Sequence, residues 1–210
     1  HAQWGGPIVN AVNLDLPGDP RPERGVFVNR TLNLRAVGAI GYDMDYTLIH
    51  YRVDEWEGAA FRTARNLLAA QGWPVDDLEF DPDQFTLGLV FDLMLGNIVK
   101  ATRFGYVVRA QHGTRPLTFD EQREHYRETV VELSEPRFQF MNTLFELSRA
   151  NLMAQLVERH DTKALPGVSG YADLYTKVDA ALSETHMTGV LKADIVADPE
   201  IAAKQDGTLL

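Results

Sequence analysis

Asp43 and Asp45 are the residues of this sequence best suited, by type and spacing, to do chemistry. They are two carboxylates two positions apart, closing the apolar run Val37-Gly-Ala-Ile-Gly-Tyr42 and followed by Thr47 and Leu48. A run apolar on both faces is what a buried parallel strand requires, and in open α/β sheets ligands bind beyond the carboxyl ends of such strands. One carboxylate there could attack an electrophile such as a phosphorus atom. Its neighbour, turned differently by the loop, would protonate the leaving oxygen and then activate water. A hard cation such as Mg²⁺ suits oxygen ligands of this kind and offsets charge on phosphoryl oxygens. The plain alternative is a pair of surface acids in a turn, since D-x-D strings recur by chance.

The elements that must position these residues can be read from the surrounding pattern. Residues 1–25 hold Pro7, Pro17, Pro20 and Pro22 among charged residues and read as an irregular arm. Residues 26–51 begin the apolar, strand-forming part that ends in the acid pair. Asp54 followed by Glu57 has the form of a helix start, and Trp56, Ala60, Phe61, Ala64, Leu67 and Leu68 continue at helical spacing up to Gly72. Thr86–Leu93, Asn97–Thr102 and Tyr106–Ala110 predict an antiparallel meander broken at Gly96-Asn97 and Phe104-Gly105. Helices are predicted over 119–132, 139–160 and 170–187, with Pro136 and Pro166-Gly167 as separators.

Composition narrows the function classes. The chain has 210 residues, 45% of them apolar, and a net charge of -10. That acidity excludes a general attraction to nucleic acid or anionic lipid, so a polyanionic ligand needs a local basic pocket or a metal. The absence of cysteine excludes disulfides and thiolate chemistry and is compatible with a cytoplasmic setting. No apolar run is long enough for a membrane helix. His1 in place of a methionine points to a chain that begins inside a longer product.

The motif Asp43-Met-Asp-Tyr-Thr-Leu48 resembles the D-x-D-x-T motif of the haloacid-dehalogenase-like superfamily, in the form used by the cytosolic purine 5'-nucleotidases and their relatives. Phe27-Val-Asn-Arg30, Gly88-Leu-Val-Phe-Asp92, Gly96-Asn97, Lys100, His112-Gly113 and Asn142-Thr-Leu-Phe145 occur in the same order in that family. The resemblance implies an α/β fold: a partial Rossmannoid core with an inserted α+β cap covering roughly residues 52–200, and residues 201–210 returning toward the core. It further implies a Mg²⁺-dependent hydrolase of nucleoside monophosphates that works through an aspartyl-phosphate. Asp43 would be nucleophile and metal ligand, Asp45 the acid/base whose backbone carbonyl also reaches Mg²⁺, and Thr47 a support for the loop. Phe145 matches a phenylalanine that stacks on the nucleotide base; His186 and Lys192 match positions lining the substrate pocket. Core packing for Phe145, a helix-end role for His186 and a solvated surface position for Lys192 are the structural alternatives.

Two departures qualify that resemblance. An arginine and an aspartate that help grip the nucleotide in the purine enzymes are matched here by Asp179 and Ser183, so another small phosphomonoester stays open as substrate. The later Ser/Thr, Lys and acidic-pair motifs are not found: Asp76-Asp77 follows Trp73-Pro74, and Ser169 has no apolar strand before it. The expectation is therefore a piece of a longer protein. Were the 210 residues the whole of it, a non-catalytic nucleotide- or partner-binding module would be the natural reading. A homo-oligomer is left open.

Overall fold

A computed structural model describes residues 33–43, 47–48, 50–189, 193 and 203–204. The chain divides into two units, His1–Gly41 and Tyr42–Leu210. In the first, Leu34–Ala36 form a single 3-10 turn closed by the Ala36 N–H donating to the Asn33 carbonyl at 3.1 Å. The irregular arm expected over residues 1–25 lies outside the described residues.

The second unit runs β1 (His50–Tyr51), α1 (Val53–Ala70), β2 (Leu89–Asp92), β3 (Asn97–Ala101), β4 (Val107–His112), β5 (Arg115–Pro116), α2 (Phe119–Tyr126), β6 (Phe138–Met141), α3 (Leu147–Asp161), α4 (Tyr171–Met187) and β7 (Ala203–Lys204). Strands β2 to β6 form one antiparallel sheet in the order β5-β4-β3-β2-β6. Period-two alternation gives this sheet two buried faces. Phe91, Ile98 and Met141 point into a core shared with α1, α3 and α4, where Phe61, Leu68, Leu152, Leu156, Leu174 and Val178 are fully or almost fully buried. Each such side chain contributes roughly 1.5–3 kcal/mol relative to an exposed one. Val90, Val99, Ala110 and Phe138 face the other way, onto Tyr126 at the end of α2 and onto Val131.

The meander turns where Gly96 takes φ 68°, and a Cβ at that glycine would lie 2.6 Å from ring carbons of Tyr171. Both the left-handed backbone and the close approach of α4 call for glycine. Helix α2 opens on a capping box, with Thr118 and Glu121 each binding the other's backbone N–H. Among the described residues, no helix is long and apolar enough to cross a membrane.

Four expectations are corrected. Val37–Tyr42 forms no strand, and Ile40 and Tyr42 are 72% and 73% exposed. A parallel strand takes its hydrogen bonds from neighbours, and among the described residues none runs beside this segment. The helix expected over 139–160 is a strand as far as Met141, and its helical part starts at Leu147. The helix expected over 119–132 stops at Tyr126. Finally, Asp54 and Glu57 do not cap their own helix: the N-cap of α1 is Arg52, which makes no side-chain cap bond.

Candidate functional site

Asp43 is exposed, and its Oδ2 accepts a hydrogen bond from the Thr47 hydroxyl at 3.4 Å. The carboxylate is braced by this contact and open to solvent, the chemistry that a hard cation seeks. Asp45 and Lys192 lie outside the described residues. Among the described residues no group of three or more His, Asp or Glu side chains gathers to hold a metal ion.

Four steps along the chain from Thr47 lies Tyr51, a span of at most about 14 Å. The Tyr51 ring lies 5.8 Å from Phe145, edge-on, and 5.5 Å from Trp56. Trp56 also meets Phe145 at 6.4 Å and stacks on His186 at 6.3 Å, with the two planes 30° apart. The structure thus brings Phe145 and His186 to the same indole. Phe145 sits in the 3-10 turn Leu144–Glu146 that leads into α3, Trp56 in the first turns of α1, and His186 in the last turn of α4. The three-helix layer converges here because the apolar stripes of α1, α3 and α4 bury one another below it.

Charged groups rim this aromatic cluster. Arg149 of α3 donates to Glu146 and, at 2.5 Å, to Asp179 of α4, and its guanidinium lies 5.5 Å from the Tyr175 ring centre. Burial works against the Arg149 charge, but Glu146, Tyr175 and Asp179 outweigh it and hold the guanidinium protonated. Partial burial, with Arg149 adding, lowers the proton affinity of His186. Asp179, one of the two positions that depart from the purine pattern, therefore does not lack an arginine partner: the partner comes from α3.

Glu57 is 1% exposed, and its Oε2 accepts the backbone N–H of Ser148, in the first turn of α3, at 2.8 Å. Burial pushes this carboxyl up to about 7, against the opposing pull of the Ser148 N–H and hydroxyl. Glu57 Oε1, Trp56 Nε1 and Arg149 Nε are buried with no hydrogen-bond partner. Sequence reasoning missed Tyr51, Glu57 and Arg149 and took Trp56 only as a core position. Its one usable signal was Glu57, a carboxylate inside the apolar stripe of α1. Asp77, weighed as a later-motif acid, instead pairs with Arg159 at 2.6 Å. A groove of about 700 Å³ along Phe85, Ile98, Lys100, Arg109 and Leu117 holds none of the expected site residues.

Human 5'-nucleotidase domain-containing protein 1 is 27% identical over 183 residues, covering 80% of this chain and 40% of its own length. A 5'-nucleotidase domain-containing protein of Dictyostelium discoideum is 27% identical over 183 residues, covering 82% of this chain and 30% of its own. The bovine 5'-nucleotidase domain-containing protein 1 matches over 139 residues at 27% identity. The chain thus spans well under half the length of these curated relatives. Residues 26–210 match the model of the 5' nucleotidase family, from before the Asp43 motif through the whole helix–sheet unit, and the chain belongs to that family.

Proposed function

We propose that this chain is the amino-terminal, substrate-selecting part of a Mg²⁺-dependent phosphomonoester hydrolase that acts on nucleoside 5'-monophosphates through an aspartyl-phosphate. The observation that carries the reading is the tether between two chemistries: an exposed Asp43 carboxylate braced by Thr47, and, four residues on, Tyr51 packed into the Phe145–Trp56–His186 cluster. A nucleoside monophosphate has the same two-part character, a phosphoryl group joined through a sugar to a flat ring. Asp43 would attack phosphorus, Asp45 would protonate the leaving oxygen, and the aromatic cluster would hold the base and sugar, with Lys192 a further candidate for the substrate pocket. Mg²⁺, held in part by Asp43, would offset the charge on the phosphoryl oxygens.

The cap reading draws support from β1 and β7, where His50 pairs with Lys204 and Tyr51 with Ala203. The chain leaves after Tyr51 and comes back to pair with it, which is how an inserted unit is joined to a core. A cap at that place selects the ligand and keeps water from the intermediate.

The test is a panel of nucleoside and sugar monophosphates assayed with Mg²⁺ on the full-length protein. Asp43→Asn should lower turnover by at least about a thousandfold on every substrate. Turnover that survives this change would refute the assigned nucleophile. Phe145→Ala should raise KM for nucleotides and leave sugar phosphates unaffected. An equal effect on both classes would favour the reading, left open by Asp179 and Ser183, of a broader small-phosphomonoester hydrolase.

A further inference from the structure

We propose that Glu57 is a positioning residue for ligand recognition: its carboxyl group holds the first turn of α3 and thereby sets Phe145 within the aromatic cluster. This rests on the nucleotide reading of that cluster and adds to it a residue and a dependence on protons. Ser148, whose N–H the carboxyl accepts at 2.8 Å, lies three residues after Phe145. Helix α3 has no side-chain cap of its own, since Glu146 at its N-cap position makes none. The Ser148 N–H of its first turn is held from α1, one residue from the indole that touches both Phe145 and His186, while Arg149 in the same turn pairs with Asp179 of α4.

The two protonation states of Glu57 grip α3 unequally. The carboxylate accepts the Ser148 N–H as a charge-assisted bond at the positive end of a helix, whereas the neutral acid is a weaker acceptor. The second oxygen, Oε1, has no hydrogen-bond partner. Burial has brought the two states close to balance at about pH 7. The charged groups that face Glu57 are Glu146, which favours the proton, and Arg149, which disfavours it. From α4, Asp179 and the Tyr175 ring engage the same Arg149, and His186 feels its charge. The ionised state should therefore order the Phe145 turn, and protonation should loosen it.

The first measurement needs no ligand. The indole N–H signal of Trp56, assigned with Trp56→Phe, is followed by NMR from pH 5.5 to 8.5 in the full-length protein. It should move with a midpoint near 7, keep that titration in His186→Gln and lose it in Glu57→Gln. A signal that does not move, or moves equally in Glu57→Gln, overturns the proposal. Ser148→Pro, which removes both the donated N–H and the hydroxyl at a first-turn position that tolerates proline, should shift the midpoint upward. An unchanged midpoint there also overturns it, even if Glu57→Gln fails to fold. The second measurement is kinetic: for inosine 5'-monophosphate at pH 8, Glu57→Gln should raise KM severalfold with kcat within about twofold of wild type. A matched loss of kcat, with KM unchanged, contradicts a positioning role. If wild type shows the Glu57-dependent titration but turns over no nucleotide, the nucleotide reading falls and the positioning of Phe145 stands.

Discussion

The helix–sheet unit holds two buried polar clusters that have been finished in opposite ways. Around Asp92 at the end of β2, every group has a partner. Arg137 donates to both carboxylate oxygens at 2.8 and 2.7 Å, the Tyr126 hydroxyl donates to Oδ2 at 2.9 Å, and Asn97 donates to that hydroxyl at 2.9 Å. The chain continues through His112, whose ring nitrogens lie 2.7 Å from Asn97 Oδ1 and 2.7 Å from Asp161 Oδ2, to the Tyr171 hydroxyl, 2.7 Å from the same carboxylate. It ties the far face of the sheet to α3 and α4. Around Glu57, by contrast, three buried polar atoms stand without partners. A satisfied network fixes a structure, and an unsatisfied one costs stability that a fold retains where the groups have other work. The first cluster is the clamp of the unit, and the second lies beside the aromatic cluster proposed to receive the ligand.

Breaking the clamp should have the largest effect. Arg137→Ala leaves a fully buried Asp92 carboxylate without its bidentate partner, and losing one member of such a pair costs about 3–5 kcal/mol. Urea unfolding should record it, and a loss under about 1 kcal/mol would mean that the clamp adds little. The next effect belongs to the other cluster and depends on pH. Glu57 keeps its proton in the folded protein up to about pH 7, against 4.5 in an unfolded chain. Between those values the folded state binds more protons. The Glu57 contribution is therefore full below pH 4.5 and is lost as pH rises to about 7, by up to about 3 kcal/mol. His186 runs the other way, since its folded value is depressed from 6.5, so its contribution is lost as pH falls. Solvent reaches His186, which keeps its share small. Unfolding of wild type and Glu57→Gln at pH 5, 6 and 8 should give a slope in the first that is absent in the second.

The two clusters also differ in how far the sequence disclosed them. Patterns that repeat locally were readable: α1 and α4 from the period of their apolar residues, and the meander from strand runs broken at Gly96-Asn97 and Phe104-Gly105. The Asp43–Thr47 pair was readable because a motif is local by nature. β6 was not, since Phe138-Gln-Phe-Met141 is too short to separate a period of two from the edge of a helix. The strand expected at Val37–Tyr42 failed for a different reason, because pairing is a property of neighbours that composition does not carry. Glu57 was hidden by a plausible local story. Asp54 and Glu57 look like the start of a helix, yet the partner of Glu57 is 91 residues away. Asp92 and Arg137 are likewise 45 residues apart.

Two milder substitutions sharpen the contrast at the level of single hydrogen bonds. Tyr171→Phe removes one made bond, the hydroxyl to Asp161, and should cost about 0.5–1.5 kcal/mol. Trp56→Phe removes an N–H that has no partner while keeping an aromatic ring against Phe145 and His186. The lost ring area costs some stability, but relief of an unpaired buried donor returns a comparable amount, so the net change should stay within about 1 kcal/mol. The same variant should weaken nucleotide binding more than it weakens the fold, because the indole is the surface on which Phe145, Tyr51 and His186 meet. Thermal unfolding and nucleotide KM measured on one preparation separate the two. A large loss of stability with KM unchanged would place Trp56 with the clamp, as a packing residue, and take the aromatic cluster out of recognition.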